Sequence, residues 1–239
     1  AKTELSVSID TDQFYDVEDF VNAYDANGMN APIKCQFLHR TKEIDAVYKS
    51  IENNVITVLT GPSGIGKTRL AVEVCRRYDK EKYKVYCVRS NGNSLYEDIR
   101  YYVDSPGNYL IFFDDANTVF SLECVINTLL KLPQGYQVKI LITVRDYAKE
   151  RVINTISKYS EYENIEIGPF EEEKVKELAE DFHTDIVGTL TRSEVVQQAE
   201  EQKKTVLEAF PESEMAEEYR ILAKAILMKV REKQEVSNA

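Results

Sequence analysis

The stretch that most limits what this chain can fold into is 55–75. Val55-Ile56-Thr57-Val58-Leu59-Thr60 is apolar and β-branched, the composition of a buried strand. Gly61-Pro62-Ser63-Gly64-Ile65-Gly66-Lys67-Thr68 follows and fits G-x-x-x-x-G-K-[ST] without a mismatch. Leu70, Ala71, Val74 and Cys75 then recur at helical spacing. Strand, glycine loop and helix, in that order, are the context in which this motif cradles phosphate groups. Its glycines leave no side chain between the loop N–H groups and an anion. The helix N-terminus adds partial positive charge at the same place. Lys67 is long enough to meet the outer phosphates, and the Thr68 hydroxyl is a ligand for Mg²⁺. Residues 61–68, with Arg69 after them, form the candidate nucleotide loop.

Such a loop needs a partner carboxylate for the metal. Tyr109-Leu110-Ile111-Phe112-Phe113 is an apolar strand that ends in Asp114-Asp115. It delivers both acids to the C-terminal edge of a sheet, where ligands bind in open α/β folds. Asp114 is the candidate Mg²⁺ partner, directly or through a metal-bound water, and Asp115 the candidate for orienting or deprotonating an attacking water. The next long strand, 138–143, ends in Thr143 with Arg145 just beyond it. A hydroxyl and a planar, permanently charged guanidinium there suit a γ-phosphate. His39 and His183 have no second ligand at metal spacing and are assigned no role.

Predicted strands at 84–88, 109–113, 138–143 and 164–167 alternate with helices at 94–103, around 119–129 and at 148–159. Thr41 is placed to cap a helix through Ile44, Val47, Tyr48 and Ile51. Alternation of this kind predicts a three-layer α/β sandwich with a parallel sheet. From Glu171 the pattern is helical only. Val175, Leu178, Ala179 and Phe182 share a face. Thr191-Arg192-Ser193-Glu194 has the form of a capping box before Val195, Val196 and Ala199. Pro211 suits the first turn of a last helix whose stripe, Met215, Tyr219, Leu222 and Ile226, reads as core. The expected organisation is a lead segment at 1–36, a nucleotide-binding domain at 37–170 and a small all-α domain at 171–239. Within the lead segment, 5–9 alternates like a strand, Val17, Phe20, Val21 and Tyr24 share a helix face, and Asn27-Gly28 and Asn30-Ala31-Pro32 read as turns.

A formal net charge of -11 argues against a partner gripped through nucleic-acid phosphates. No apolar run is long enough to span a membrane, and the first residues lack a signal-peptide pattern. Cys35, Cys75, Cys87 and Cys124 show no C-x-x-C pairing, and the expectation is reduced, mostly buried thiols in a cytoplasmic protein.

Phe37-Leu38-His39-Arg40 with Glu43, GPSGIGKT at 61–68, LIFFDD at 110–115, KILITVRD at 139–146 and the turn Gly168-Pro169-Phe170-Glu171-Glu172 occur in an order that resembles STAND NTPases. These are AAA+-related signalling ATPases that include the NB-ARC modules of immune receptors, and the likeness is greatest to modules of bacterial anti-phage proteins. The resemblance covers about 37–182. It implies ATP or ADP with Mg²⁺ as ligands, slow ATP hydrolysis, and switching through self-association or attached effector and sensor domains. It implies that Arg40 lies in the segment lining the adenine pocket and that Arg145 senses the γ-phosphate. It also implies a sheet order of 5-1-4-3-2, counted from the loop strand, which puts the Thr143 strand between the Asp114 strand and the loop strand. The G-x-P motif that such helical domains set against adenine is missing: neither Gly168-Pro169 nor Gly188-Thr189-Leu190 fits it. A small-molecule or nucleoside kinase and a nucleotide-bound scaffold that does not hydrolyse remain as alternatives. GTP specificity is disfavoured, because no N-K-x-D follows the loop.

Overall fold

The computed structural model describes residues 12–26, 32–34, 37, 40–79, 82–191, 193–202 and 204–237. The strand expected at 5–9, the Asn27-Gly28 turn, Cys35 and His39 lie outside them. The chain divides into two compact units, 1–169 and 170–239.

The elements of the first unit are β1 (Phe14–Tyr15), α1 (Val17–Ala26), α2 (Thr41–Asn53), β2 (Ile56–Thr60), α3 (Lys67–Tyr78), β3 (Lys84–Arg89), α4 (Tyr96–Tyr102), β4 (Gly107–Asp114), α5 (Leu122–Leu130), β5 (Tyr136–Thr143), α6 (Lys149–Ile156) and β6 (Tyr162–Glu166). The sheet order is β1-β3-β4-β5-β2-β6. Counted from the loop strand β2, the five parallel strands run 5-1-4-3-2, and β5 lies between β4 and β2. The sixth strand, β1, was not expected. It adds antiparallel to β3 and is two residues long, too short for alternation to mark it.

Side-chain alternation along the strands builds two cores. Leu59, Leu110, Phe112 and Leu141 pack on one face with Phe20, Ile44, Leu70 and Val74 from α1, α2 and α3. Val58, Ile111, Phe113 and Ile142 pack on the other with Ile99, Ile126 and Val152 from α4, α5 and α6. Both faces of β4 are covered, which is why Leu110 to Phe113 reads as an unbroken apolar run. Helix α1 is part of this core: Val17, Phe20 and Val21 are buried, and the Phe20 ring meets Phe112 edge-on at 5.7 Å.

The second unit contains α7 (Glu172–Asp181), α8 (Glu194–Glu201), α9 (Val206–Ala209) and α10 (Glu214–Ser237). Its small core gathers Ala199, Val206, Met215 and Ala216, with Val195, Val196, Phe210 and Tyr219 packed against them.

Local signals were misread where two segments offered the same chemistry. The capping box belongs to Thr205 and Glu208 at the start of α9, while the Thr191 N–H and hydroxyl both donate to Glu218. Thr41 is the first residue of α2, Arg40 occupies the cap position, and no side chain caps that end. Pro211 precedes α10, which begins at Glu214. The stripe on α10 is core only at its start, since Ile226 is exposed. Phe182, beyond the last residue of α7, is exposed too. Cys75 and Cys87 are buried thiols, but Cys124 is exposed.

If α1 is integral to the first unit, Phe20→Ala should lower its stability by about 3–5 kcal/mol, the usual cost of emptying a buried aromatic site. Urea unfolding of both proteins measures this. A loss below about 1 kcal/mol would mean that α1 docks only weakly on the sheet.

Candidate nucleotide site

The loop between β2 and α3 is set by two glycines. Gly66 is the cap residue of α3 and is left-handed at φ 95°. Gly61 has φ 142°, and a Cβ there would lie 2.4 Å from the Ile167 carbonyl oxygen. The backbone after β6 thus runs against the start of the loop, and only glycine permits it. Lys67 is buried and donates to the Gly61 and Pro62 carbonyls at 2.7 and 2.8 Å. Ile65 closes a turn onto the Pro62 carbonyl, and Ser63 and Gly64 form the exposed crest. Arg69 reaches back over the Phe37 ring at 5.5 Å.

The carboxylate of Asp114 ends β4 beside this loop. One of its oxygens, Oδ1, accepts from the Thr68 hydroxyl at 2.8 Å and from the Thr143 hydroxyl at 2.9 Å. The Thr143 oxygen in turn accepts the Asp115 N–H at 2.9 Å. Asp115 itself is left-handed at φ 47°, a conformation uncommon outside glycine that Asp adopts more readily than most residues. Four residues from the loop helix, β4 and β5 are joined by these three bonds. Arg145 lies just beyond β5 and clasps Asp115 through Nε and a terminal nitrogen, at 3.0 and 2.7 Å. This pair is half-open to solvent, with Arg145 44% and Asp115 28% exposed.

Arg40 is placed differently from Arg145. It is 4% exposed, and its guanidinium donates to the carbonyls of Ile65 and Gly168 and to Glu43. It therefore ties the loop at Ile65 to the segment after β6.

Burial dominates the electrostatics. It pushes the Asp114 carboxyl above its ordinary range, against the pull of the Thr68 and Thr143 hydroxyls, with the Asp115 charge adding to the rise. Burial also lowers the Lys67 ammonium, and the Asp115 and Asp146 charges oppose that. Arg145 is held yet more firmly protonated by its bonds to Asp115. The donor set fits a magnesium nucleotide. Thr68 and Asp114 offer the hard oxygen ligands such a cation prefers. An ammonium also has more N–H donors than the two loop carbonyls that Lys67 meets.

Two residues close to the site were missed in the sequence. Arg89 ends β3 directly opposite Asp114 in the strand register, and its charge acts to lower the Asp114 pKa. Tyr24, on α1, lies under the Arg89 guanidinium at 5.5 Å from the ring centre, and burial, with the Asp114 charge adding to it, raises its phenol above the ordinary range. Arg89 was legible as a charged residue at the C-terminal end of a strand, the edge that carries the site. Tyr24 carried no such signal, because only tertiary packing brings α1 there.

The profile of the family described as Novel STAND NTPase 3 matches residues 38–186. The chain belongs to this STAND NTPase family. It is thus a P-loop nucleotide-binding module. A second profile, for 4Fe-4S iron sulfur cluster binding proteins of the NifH/frxC family, matches 139–236. That stretch contains no cysteine and so no thiolate to hold a cluster. Similar solved structures include the Aeropyrum pernix Orc1 protein in complex with DNA, at 14% identity and TM-score 0.48, covering 95% of this chain and 66% of that one. The closed state of Hsp104 with ATPγS and casein is similar at 13% identity and TM-score 0.47, covering 92% and 43%. The Walker-type ATPase PABY2304 of Pyrococcus abyssi is similar at 13% identity and TM-score 0.45, covering 84% and 76%. The chain therefore spans less than two thirds of the length of the Orc1 and Hsp104 chains.

The raised Asp114 pKa has a testable sign. As pH rises past the ordinary value of 3.8, the unfolded chain gives up this proton before the folded protein does. The folded state is therefore progressively penalised until its own, higher pKa is passed. Asp114→Asn carries no such penalty. Without Mg²⁺, its stability relative to wild type should rise as pH increases above 3.8 and then level off. Urea unfolding of both proteins across that window checks this, and a difference independent of pH would rule it out.

Proposed function

We propose that this chain binds ATP with Mg²⁺ on the loop at 61–68, hydrolyses it slowly, and serves as a nucleotide-dependent switch. Its output would lie in self-association or in attached domains of a longer parent, and the likeness to bacterial defence modules favours an anti-phage setting. The observation that carries the reading is the hydrogen-bonded cluster of Thr68, Asp114 and Thr143, placed next to the exposed Arg145–Asp115 pair. Thr68 and Asp114 would hold the cation, which when bound would neutralise charge on the outer phosphate oxygens. Lys67 would exchange loop carbonyls for phosphate oxygens, and the α3 N-terminus would face the same group.

Arg145 supplies the switch in this reading. ATP and ADP differ only by the γ-phosphate, so discrimination requires a contact that this phosphate alone can make. The Arg145 fork can hold a carboxylate or a phosphate but not both fully. With ADP it would stay on Asp115. With ATP it would turn to the γ-phosphate and leave the Asp115 carboxylate able to orient water. One residue would then couple nucleotide state to the readiness of the proposed base.

Two measurements test this. ATP at 100 times its Kd should stabilise the wild type by roughly 2.7 kcal/mol, seen as a higher melting temperature, and Lys67→Ala should lose that gain. Equal gains in both proteins would refute the loop assignment. Arg145→Ala should leave ADP affinity nearly unchanged and weaken ATP by on the order of 1.5–3 kcal/mol, the size of a charged hydrogen bond. Calorimetric titration of both nucleotides decides, and parallel losses would mean that Arg145 only holds structure.

A further inference from the structure

The turns after β4 and β5 lie side by side, and side-chain bonds join them at two places. Arg145 clasps Asp115 at 3.0 and 2.7 Å. Two residues further along each turn, the Asn117 amide donates from Nδ2 to the Tyr147 hydroxyl at 3.2 Å. The turn after β4 is the fixed side. Ala116 is buried, the Asn117 carbonyl accepts from Arg151 of α6 at 3.0 Å, and the Thr118 carbonyl accepts from Ser90 at 3.1 Å. The Asp115 N–H is held by Thr143. The turn after β5 is the open side, with Arg145 and Tyr147 both exposed, Tyr147 at 75%. Its backbone is closed by the Ala148 N–H on the Arg145 carbonyl at 2.9 Å, so Arg145 and Tyr147 belong to one turn of chain. Asn117 Oδ1 is buried without a partner, and among the described residues the bond to Tyr147 is the one hydrogen bond that this amide makes.

We infer that Tyr147 is a positioning residue, whose bond to Asn117 holds the turn after β5 in the state where Arg145 rests on Asp115 and so restrains the exchange of Arg145 to a γ-phosphate. The inference rests on the proposed partner exchange of Arg145 when Mg-ATP occupies the loop at 61–68. Its reason is linkage. ADP would bind with Arg145 still on Asp115, the arrangement of the protein without nucleotide, so the Tyr147 bond is the same before and after. ATP would draw Arg145 away, and the same turn of chain carries Tyr147 off Asn117. ATP binding thus breaks a bond that ADP binding keeps, and a ligand moves an equilibrium only by such a difference. Because the Asn117 side is anchored to α6 and to the loop after β3, it cannot follow the moving turn. The restraint therefore lowers ATP affinity alone and sets how readily the switch leaves its resting state.

Tyr147→Phe removes the hydroxyl and keeps the ring, at an exposed position on which the core does not depend. Affinities for ATP and ADP with Mg²⁺ are measured by calorimetry on wild type, Tyr147→Phe, Arg145→Ala and the double variant. Tyr147→Phe should bind ATP roughly two- to fivefold more tightly than wild type, the size of one net hydrogen bond at an exposed position, with ADP affinity unchanged. In Arg145→Ala there is no partner exchange to restrain, so adding Tyr147→Phe should change neither affinity. Tighter ATP binding separates this role from a merely structural one, since losing a support weakens binding. Unchanged or weaker ATP affinity in Tyr147→Phe would overturn the inference. So would an equal gain for ADP, or a gain that persists without Arg145. A wild type that binds no ATP, or an Arg145→Ala variant that loses ATP and ADP in parallel, would show that the proposed function itself fails, and the inference falls with it.

Discussion

One carboxylate oxygen organises the site. Asp114 Oδ1 accepts hydroxyl protons from α3 and from β5 while its own chain belongs to β4. Taking a carboxylate out of water is unfavourable, and two neutral donors offset only part of that. The residual shows as a pKa raised by burial despite both hydroxyls. The protein therefore holds an acid that would gain from a divalent cation at the place where Thr68 can also ligate one. The same bonds fix geometry: with Thr143 occupied by Asp114 and by the Asp115 N–H, the sharp turn after β4 has one arrangement.

The strand order makes this junction available. Because β5 lies between β2 and β4, the loop after β2 and the acids after β4 are one strand apart. Thr143 ends the intervening strand and bridges the gap. Had β4 paired directly with β2, there would be no strand end between loop and acids. On the far side, β3 would be the sheet edge if β1 did not pair with it through Phe14 and Tyr15. That short strand leads straight into α1, so closing the edge also brings Tyr24 under the Arg89 guanidinium.

The alternation of apolar runs and helical stripes made the sandwich legible, because buried parallel strands leave little freedom of composition. The loop at 61–68 was legible because its glycines and Lys67-Thr68 match a motif that phosphate binding demands in that order. What could not be read was pairing at a distance. Nothing local says that Arg145 meets Asp115, since both are polar residues at strand ends. Nothing local says that Thr205 rather than Thr191 closes a capping box, since each is followed three residues later by a glutamate. Val17, Phe20 and Val21 announced a helix with a buried face, but the surface they bury against comes from α3 and β3 and, for Phe20, from Phe112 of β4, all far later in the chain.

The two arginines singled out from the sequence now separate on physical grounds. Arg40 is buried, and its donors are spent on two backbone carbonyls and Glu43. Breaking those bonds would leave the Arg40 charge itself buried and unpaired, which is costly, so it acts as a strut between the loop at Ile65 and the segment after β6. Its guanidinium is therefore committed to the loop backbone. Arg145 holds one carboxylate in a pair open to water, and exposed pairs contribute on the order of 0–1 kcal/mol. A weak, solvated pair is the kind a nucleotide phosphate can displace at little cost, whereas a strong buried one would resist any ligand of ordinary affinity. The exposure of the Arg145–Asp115 contact would thus suit it to the partner exchange proposed above, while the buried Arg40 ties the loop at Ile65 to the segment after β6.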